Sequence, residues 1–411
     1  MTNPDPVRHT DDPLVTPRLS PNVALLGCVS MLTAMSSAMI YGLLPVFLVR
    51  VIGASMTSIG FIEGMAEAAN SFIKILSGAA SDWLGRRKPL VVFGYALSAI
   101  VKTAFPLAGS MSMVLTARVI DRLGKGIRDA PRDALLADLT APEIRGTGFG
   151  LRLAVAISGF VLGPLFAVAL MMWSGDDFRL VFWIALIPAY LSVVLLLVTV
   201  KELPVDHDGG ERRLPINRSE LAALPAIFWW VIAIASLLSL ARYSQAFLVL
   251  KAYDVGLDAA YVPLMLVAAY LVYSAMAYPF GVLADRIDRR LILAAGAVVL
   301  IGADVVLAIA SNIWVTVLGA ALWGLQLGLT QGLLGAAVAD AVPNRLRGTA
   351  FGIYDVAIGV TTFVASSGAG VLWTVGGPTL AFGISACVGG LAGLLLLLRP
   401  FPSLQDSAHS R

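Results

Sequence analysis

Residues 118–133 read Arg-Val-Ile-Asp-Arg-Leu-Gly-Lys-Gly-Ile-Arg-Asp-Ala-Pro-Arg-Asp, with eight charges set into a segment whose flanks are apolar. Wound as an α-helix at about 100° per residue, Arg118, Asp121, Arg122, Lys125, Arg128, Asp129, Arg132 and Asp133 fall within an arc roughly 140° wide. Val119, Ile120, Leu123, Ile127 and Leu135 occupy the opposite face. Ionisable side chains at membrane depth are costly and turn toward a bundle interior or a watery cavity. A chain containing this helix must build a polar passage and surround it with other helices.

The rest of the sequence supplies those helices. Of 411 residues, 58% are hydrophobic and only 13% charged, against about 25% charged in soluble domains. That excludes a soluble globular protein. A net charge of +3 is too small for a nucleic-acid surface, so the expected partners are the lipid bilayer and a small molecule, with the monomer as working unit. Cys28 and Cys387 lie inside apolar spans and read as buried small hydrophobes. With His9, His207 and His409 all in polar segments, no metal site is expected. No phosphate-binding Gly-x-x-x-x-Gly-Lys-Ser/Thr occurs, so no nucleotide or other cofactor is expected. No catalytic constellation is visible either, and no polar segment is long enough for a soluble domain, which disfavours a membrane enzyme or sensor.

About 20 apolar residues cross a bilayer. Twelve such spans are expected, at 22–49, 57–82, 89–109, 112–138, 147–173, 179–200, 225–251, 260–284, 291–311, 314–339, 349–374 and 379–398. They divide the chain into a tail (1–21), a first six-helix bundle (22–200), a polar linker (201–220), a second bundle (221–398) and a second tail (399–411). The first tail lacks the basic-then-apolar order of a cleaved signal. Arg86, Arg87, Lys88, Arg145, Lys201, Arg212, Arg213, Arg218, Arg286, Arg289, Arg290, Arg345 and Arg347 all fall in even-to-odd loops, with Arg50, Arg179 and Lys251 in the others. The positive-inside rule then places both tails in the cytoplasm. The halves also repeat. Ala137-Asp138 with Arg145-Gly146-Thr-Gly-Phe-Gly150 returns as Ala339-Asp340 with Arg347-Gly348-Thr-Ala-Phe-Gly352, and Gly78…Asp82 returns as Gly281…Asp285. Parallel repeats of this kind enclose a substrate site at their interface, near the midplane.

Gly78-Ala-Ala-Ser-Asp82-Trp-Leu-Gly85-Arg86-Arg87 resembles the cytoplasmic loop signature of the major facilitator superfamily, Gly-x-x-x-Asp-Arg-x-Gly-Arg-Arg, with Trp83 replacing a basic residue. Gly281, Asp285, Arg286, Arg289 and Arg290 form a weaker second copy. The resemblance implies an all-α polytopic fold of two pseudo-symmetric six-helix bundles, and a cytoplasmic latch carried by Gly78, Asp82, Gly85, Arg86, Asp285 and Arg286. Gly150, Gly159, Gly163 and Pro164 in the fifth span are similar to the motif of exporters that exchange substrate for protons. Small residues there permit close helix approach and Pro164 permits bending. Arg118 fits the arginine of the family's Arg-x-x-Gln-Gly pattern, with Asp121 and Arg122 departing from it. Across residues 122–134 the chain resembles a large bacterial and archaeal branch of that superfamily.

The second span carries a matching stripe. Glu63, Glu67, Asn70 and Lys74 lie within about 60° of one another by helical rotation. At about 1.5 Å per residue, Glu67 stands level with Arg122, and Lys74 with Asp129. We therefore expect Glu67 to neutralise Arg122 or Arg118, and Lys74 to neutralise Asp129. Arg118, Arg122, Lys125, Arg128, Arg242 and Gln326 are the candidate substrate-path residues, with Lys125 and Arg128 left to attract an anion. Tyr270, Tyr273 and Tyr278 read as interfacial belt or core. Lys102 and Asp304, at repeat-related positions, read as structural or snorkelling groups. The expected function is secondary active transport in a bacterial cytoplasmic membrane, export by proton antiport. Coupling needs a carboxylate whose protonation competes with substrate or a neighbouring cation, for which Glu67, Glu63 and Asp121 are candidates in that order. Uptake or efflux of a metal–carboxylate complex or siderophore is the alternative.

Overall fold

The computed structural model describes residues 21–84, 87–140, 144–199, 223–284, 287–343 and 346–398. Gly85, Arg86, Asp285 and Arg286, four of the expected latch residues, lie outside that set, as does the side chain of Asp82. Among the described residues the chain is entirely helical apart from turns. The helices are α1 (Pro21–Phe47, prolonged by a π-helical segment at Leu48–Ile52), α2 (Met56–Leu84), α3 (Lys88–Lys102), α4 (Ala104–Leu107), α5 (Met111–Asp138), α6 (Arg145–Ser174) and α7 (Phe178–Thr199). The second half contributes α8 (Ala226–Leu240), α9 (Ala246–Asp254), α10 (Leu264–Ala284), α11 (Arg289–Ile309), α12 (Ile313–Asp340) and α13 (Arg347–Leu398). Helix α13 contains two spans, divided where Gly376 and Gly377 leave helical geometry. Gly377 adopts φ 72°, a left-handed conformation that glycine takes without steric cost.

These elements account for twelve crossings. Two differ from the expected spans. The third is α3 followed by α4, broken at Thr103. The seventh is not continuous over 225–251: residues 241–245 interrupt it between α8 and α9. The interruption persists because its polar groups find partners. Ser244 N–H donates to Ser366 Oγ at 3.1 Å and Ser244 Oγ donates to Glu63 at 3.0 Å. The outward surface is apolar, with Val198, Val375 and Ile309 exposed at 76%, 77% and 70%, as lipid-facing surface requires. Trp173 and Trp314 stand exposed at the ends of their helices, where membrane interfaces favour tryptophan. Cys28 is half-buried and Cys387 exposed on this surface, so neither is the buried core residue expected.

The arrangement of the cores fixes the shape of the interior. We call the side on which α1 begins and α13 ends the terminal side, and the other the distal side. Toward the distal side one continuous core joins both halves: Leu43, Phe47 and Ile59 pack in the same cluster as Phe247, Leu266 and Trp373. Toward the terminal side there are two separate cores, Val23, Leu26, Tyr95 and Leu136 in the first half and Phe228, Leu293, Val338 and Leu396 in the second. The shared core is thus distal, while on the terminal side each half keeps a core of its own and α2 stays close to α13 at Ile75 and Gly352. The distal packing depends on glycine. A Cβ on Gly64 would stand 2.8 Å from the Phe363 carbonyl, and side chains on Gly60 or Gly370 would collide with the backbone of Ser366 or Met56. Gly60→Val and Gly370→Val are therefore expected to prevent distal closure. Cysteines introduced at Thr57 and Thr374, whose hydroxyls lie 2.9 Å apart, should crosslink in the wild-type background and fail to do so in either valine variant.

Candidate functional site

The charged face of α5 turns inward as its arc demands, and α2 meets it. Arg118 Nε and Nη2 donate to the two Glu63 carboxylate oxygens at 2.9 and 2.8 Å. Both residues are buried, at 1% and 5% exposure, so the bidentate pair is closed to water. The Arg118 guanidinium lies 3.6 Å from the centroid of the Tyr41 ring, a cation–π contact from α1. One helical turn on, Arg122 Nη2 pairs with Glu67 at 2.9 Å and also faces Tyr41. The Tyr41 hydroxyl donates to Asp121 in a short contact. Arg128 donates to Ser98 Oγ at 2.8 Å and lies over the Tyr95 ring, without a carboxylate. Arg132 takes Asp129 at 2.9 Å and Asp133 at 3.0 Å.

Three expectations are corrected here. Lys74 does not neutralise Asp129, which Arg132 holds from within α5. Lys74 instead crosses to the other half and pairs with Asp355 of α13 at 2.9 Å. Gln326 is not on the path. It is 1% exposed and donates to Thr330 at 2.9 Å inside α12, while Gln331 and Trp323 of that helix reach the cavity. Arg118 is likewise set behind Glu63 and Tyr41, off the cavity surface.

Two connected chambers lie between the halves. One, of about 360 Å³, is lined on the first half by Tyr41, Tyr95, Asp121, Arg128 and Arg152. The other, of about 540 Å³, is lined across the interface by Lys74, Asn70, Arg242, Tyr273, Trp323 and Asp355. Glu67, Arg122, Lys125, Asp129, Gln245 and Tyr270 border both. Tyr270 donates to Gln245 at 2.7 Å and stacks on Phe160, and Tyr278 is 80% exposed. The eighth span's tyrosines therefore divide between cavity wall and outer surface. The carboxylates Glu67, Asp121, Asp129 and Asp355 all have partners. Among the described residues Lys125 makes no ion pair, and Arg242 donates only to Gln331, at 3.3 Å. With Arg128, three cations face the cavity uncommitted to a carboxylate.

The fifth-span motif divides in a similar way. Side chains on Gly159 or Gly163 would collide with the Met31 or Met35 carbonyls of α1, so both glycines permit the close approach expected. Pro164 is buried beside them. Gly150 has open space around it and is not a packing position. Gly78 faces Ala130 of α5 in ordinary contact. At the terminal side, Arg87 pairs with Asp138 at 2.8 Å and Arg289 with Asp340, the same ion pair at repeat-related positions of the two halves. Lys102 and Asp304 do not snorkel. They are buried at 0% and 2% exposure, with Lys102 donating to Ser36 and Ser37 at 3.0 and 2.9 Å.

Twelve spans in two repeated bundles, closed on one side around a polar cavity, define a multi-pass membrane transporter. The chain belongs to the Major Facilitator Superfamily, whose family model matches it twice, over residues 26–253 and 232–410. It is 31% identical over 385 residues to the uncharacterized MFS-type transporter MJ1317 of Methanocaldococcus jannaschii, covering 92% of this chain and 95% of that one. Identity to the inner membrane transport protein YajR of Escherichia coli is 26%, over 80% of this chain and 72% of the relative. With the multidrug resistance protein MdtH of Proteus mirabilis it is 27%, over 53% and 62%. Among solved structures, the nucleoside transporter NupG superposes with a TM-score of 0.73 at 14% identity, over 92% of this chain and 98% of that one. A bacterial homologue of the lysosomal transporter Spinster, described as inward-facing and occupied, gives 0.74 at 15%, over 93% and 97%.

Two outcomes test the site's electrostatics. Arg118→Ala leaves Glu63 buried without its cation, a change that costs about 3–5 kcal/mol. Thermal unfolding in detergent should show that loss, and should show most of it recovered in the E63Q/R118Q double variant. Exchanging Lys74 and Asp355 (K74D/D355K) should restore transport lost in either single charge reversal, since the pair spans the two halves.

Proposed function

We propose that the protein is a proton-coupled exporter of small organic anions, working by alternating access as a monomer in a bacterial cytoplasmic membrane with both termini in the cytoplasm. The observation that carries the anion is the surplus of cations on the cavity wall: Lys125, Arg128 and Arg242 have no carboxylate partner. Arg128 and Arg242 offer planar guanidinium groups suited to carboxylate or phosphate. Orientation rests on the Lys/Arg asymmetry of the loops, which makes the terminal side cytoplasmic and the conformation described here inward-facing. Export by exchange against protons rests on the Gly159, Gly163 and Pro164 packing of α6 on α1, and on the likeness to MdtH over part of the chain. Energy comes from the proton gradient, with no bound cofactor.

One observation favours a second reading. Glu67 and an incoming anion compete for Arg122, so a proton on Glu67 frees that arginine to bind the anion. Through Glu67 alone, proton and anion would travel in the same direction, which is uptake. An anionic metal–carboxylate chelate would meet the same cations. Everted vesicles distinguish the readings by sign: an inside-acid gradient drives accumulation of a radiolabelled anion by an exchanger and depletes it by a cotransporter. In either case Lys125→Gln and Arg242→Gln should each raise the half-saturating anion concentration about tenfold, the equivalent of 1.4 kcal/mol. Unchanged saturation in both variants would remove the cation surplus as the basis of recognition.

A further inference from the structure

The ninth span buries a carboxylate that the passage does not use. Asp304 is 2% exposed, and no cation stands within ion-pairing distance of it among the described residues. Its partner is Ser385 Oγ, 2.6 Å away, and the same oxygen is in short contact with the Ala241 carbonyl. A hydroxyl carries one proton. An ionised Asp304 and the Ala241 carbonyl are both acceptors, so one of them would go without a donor, and a bare charge would stand in the bundle at membrane depth. A protonated Asp304 resolves both problems: its O–H donates to Ser385 Oγ, whose own O–H donates to Ala241.

Among the described residues, the surroundings hold no cation that could substitute for that proton. Helix α12 contributes one charged residue, Asp340, at its terminal end on Arg289. The part of α13 after Gly377 contributes only Cys387, which is exposed. Its earlier part carries Arg347, Tyr354 and Asp355, with Asp355 held by Lys74. Helix α10 has only its tyrosines, α8 has no titratable residue, and on α9 Lys251 lies 3.7 Å from Asp254. Arg289 and Arg290 sit at the far end of α11. At the break in the seventh span, Arg242 is turned to Gln331, and Tyr243 has a buried hydroxyl without a partner.

We infer that Asp304 is a proton-binding site, a carboxylic acid in this conformation, coupled through Ser385 to the break in the seventh span. When the proton leaves to water, Ser385 can satisfy Asp304 or Ala241 but not both. The break therefore rearranges as the proton is lost. That break carries Arg242, on the cavity wall, and Ser244, bonded to Glu63. The inference rests on the proton-coupled reading and deepens it. An exchanger of protons for anions needs a proton site that does not compete for the anion's cations, and Asp304 stands apart from them.

Infrared difference spectroscopy of the purified, bilayer-reconstituted chain tests this directly. The wild type and E67Q should show a carboxylic-acid C=O band at neutral pH that is absent from D304N. S385A should shift that band, because its hydrogen bond is lost, and gives a second readout if D304N folds poorly. Identical carboxylic-acid regions in wild type, D304N and S385A would overturn the proposal. In vesicles D304N, whose amide mimics the protonated acid, should retain anion counterflow and lose acceleration by a pH gradient. Full pH-driven exchange by D304N would also overturn it. A wild type without pH-driven transport, but with the band present, would instead remove the proton-coupled reading and leave the site.

Discussion

The cost of taking the charges of α5 out of water shapes the first half of this protein. A bare ion in a dry interior carries a penalty of several kcal/mol even after relaxation, so each charge needs a partner or a wet surface. The most buried, Arg118, donates two hydrogen bonds to Glu63 and lies on the aromatic face of Tyr41, with almost no exposure. Arg122 and Glu67 form a looser pair at the cavity edge, with the Glu67 side chain 29% exposed. Lys125 has no carboxylate and relies on the cavity itself. The order of the residues along one helix thus grades from sealed structure to accessible site.

The second half repeats the scaffold but fills it differently. The ion pairs Arg87–Asp138 and Arg289–Asp340 occupy equivalent places, as do Lys102 and Asp304. Yet α12, the counterpart of α5, carries glutamines and tryptophan where α5 carries charge. Its helix partner α10 supplies tyrosines. The cavity therefore has one charged wall and one aromatic, hydrogen-bonding wall, joined by Lys74–Asp355 and Glu63–Ser244. Those two contacts cross between the halves at the level of the cavity, where movement of one half against the other must break or remake them.

Much of this was legible in the residues. Twelve spans followed from hydropathy, and rise per residue counted from Asp82 and Asp138 at the span ends set Glu67 level with Arg122, one of the two arginines expected to pair with it. Height alone could not find the partner of Lys74. The rule measures depth and not direction around the helix, and it had no mark in the other half, where Asp355 lies. Gln326 was misplaced for the same reason: the rotation of α12 turns Trp323 and Gln331 to the cavity and Gln326 into a bond with Thr330. The break at 241–245 was hidden because its polar residues are satisfied only by tertiary partners, Ser366 and Glu63. The signal that could have found it is the run Arg242-Tyr-Ser-Gln245 inside an apolar span. Asp304 was visible as a charge, but its isolation from cations appears only in three dimensions.

The proposed transport by alternating access requires the charged face of α5 to border a passage open to one side of the membrane at a time. A single cysteine at Ser71, on the cavity wall, in a chain with Cys28 and Cys387 replaced, measures this with a membrane-impermeant maleimide applied to either side. In the conformation described here labelling should proceed from the terminal side and be blocked from the distal side. Crosslinking the terminal ends of the two halves should reverse that preference. Labelling from neither side, or from both at once, would contradict the account.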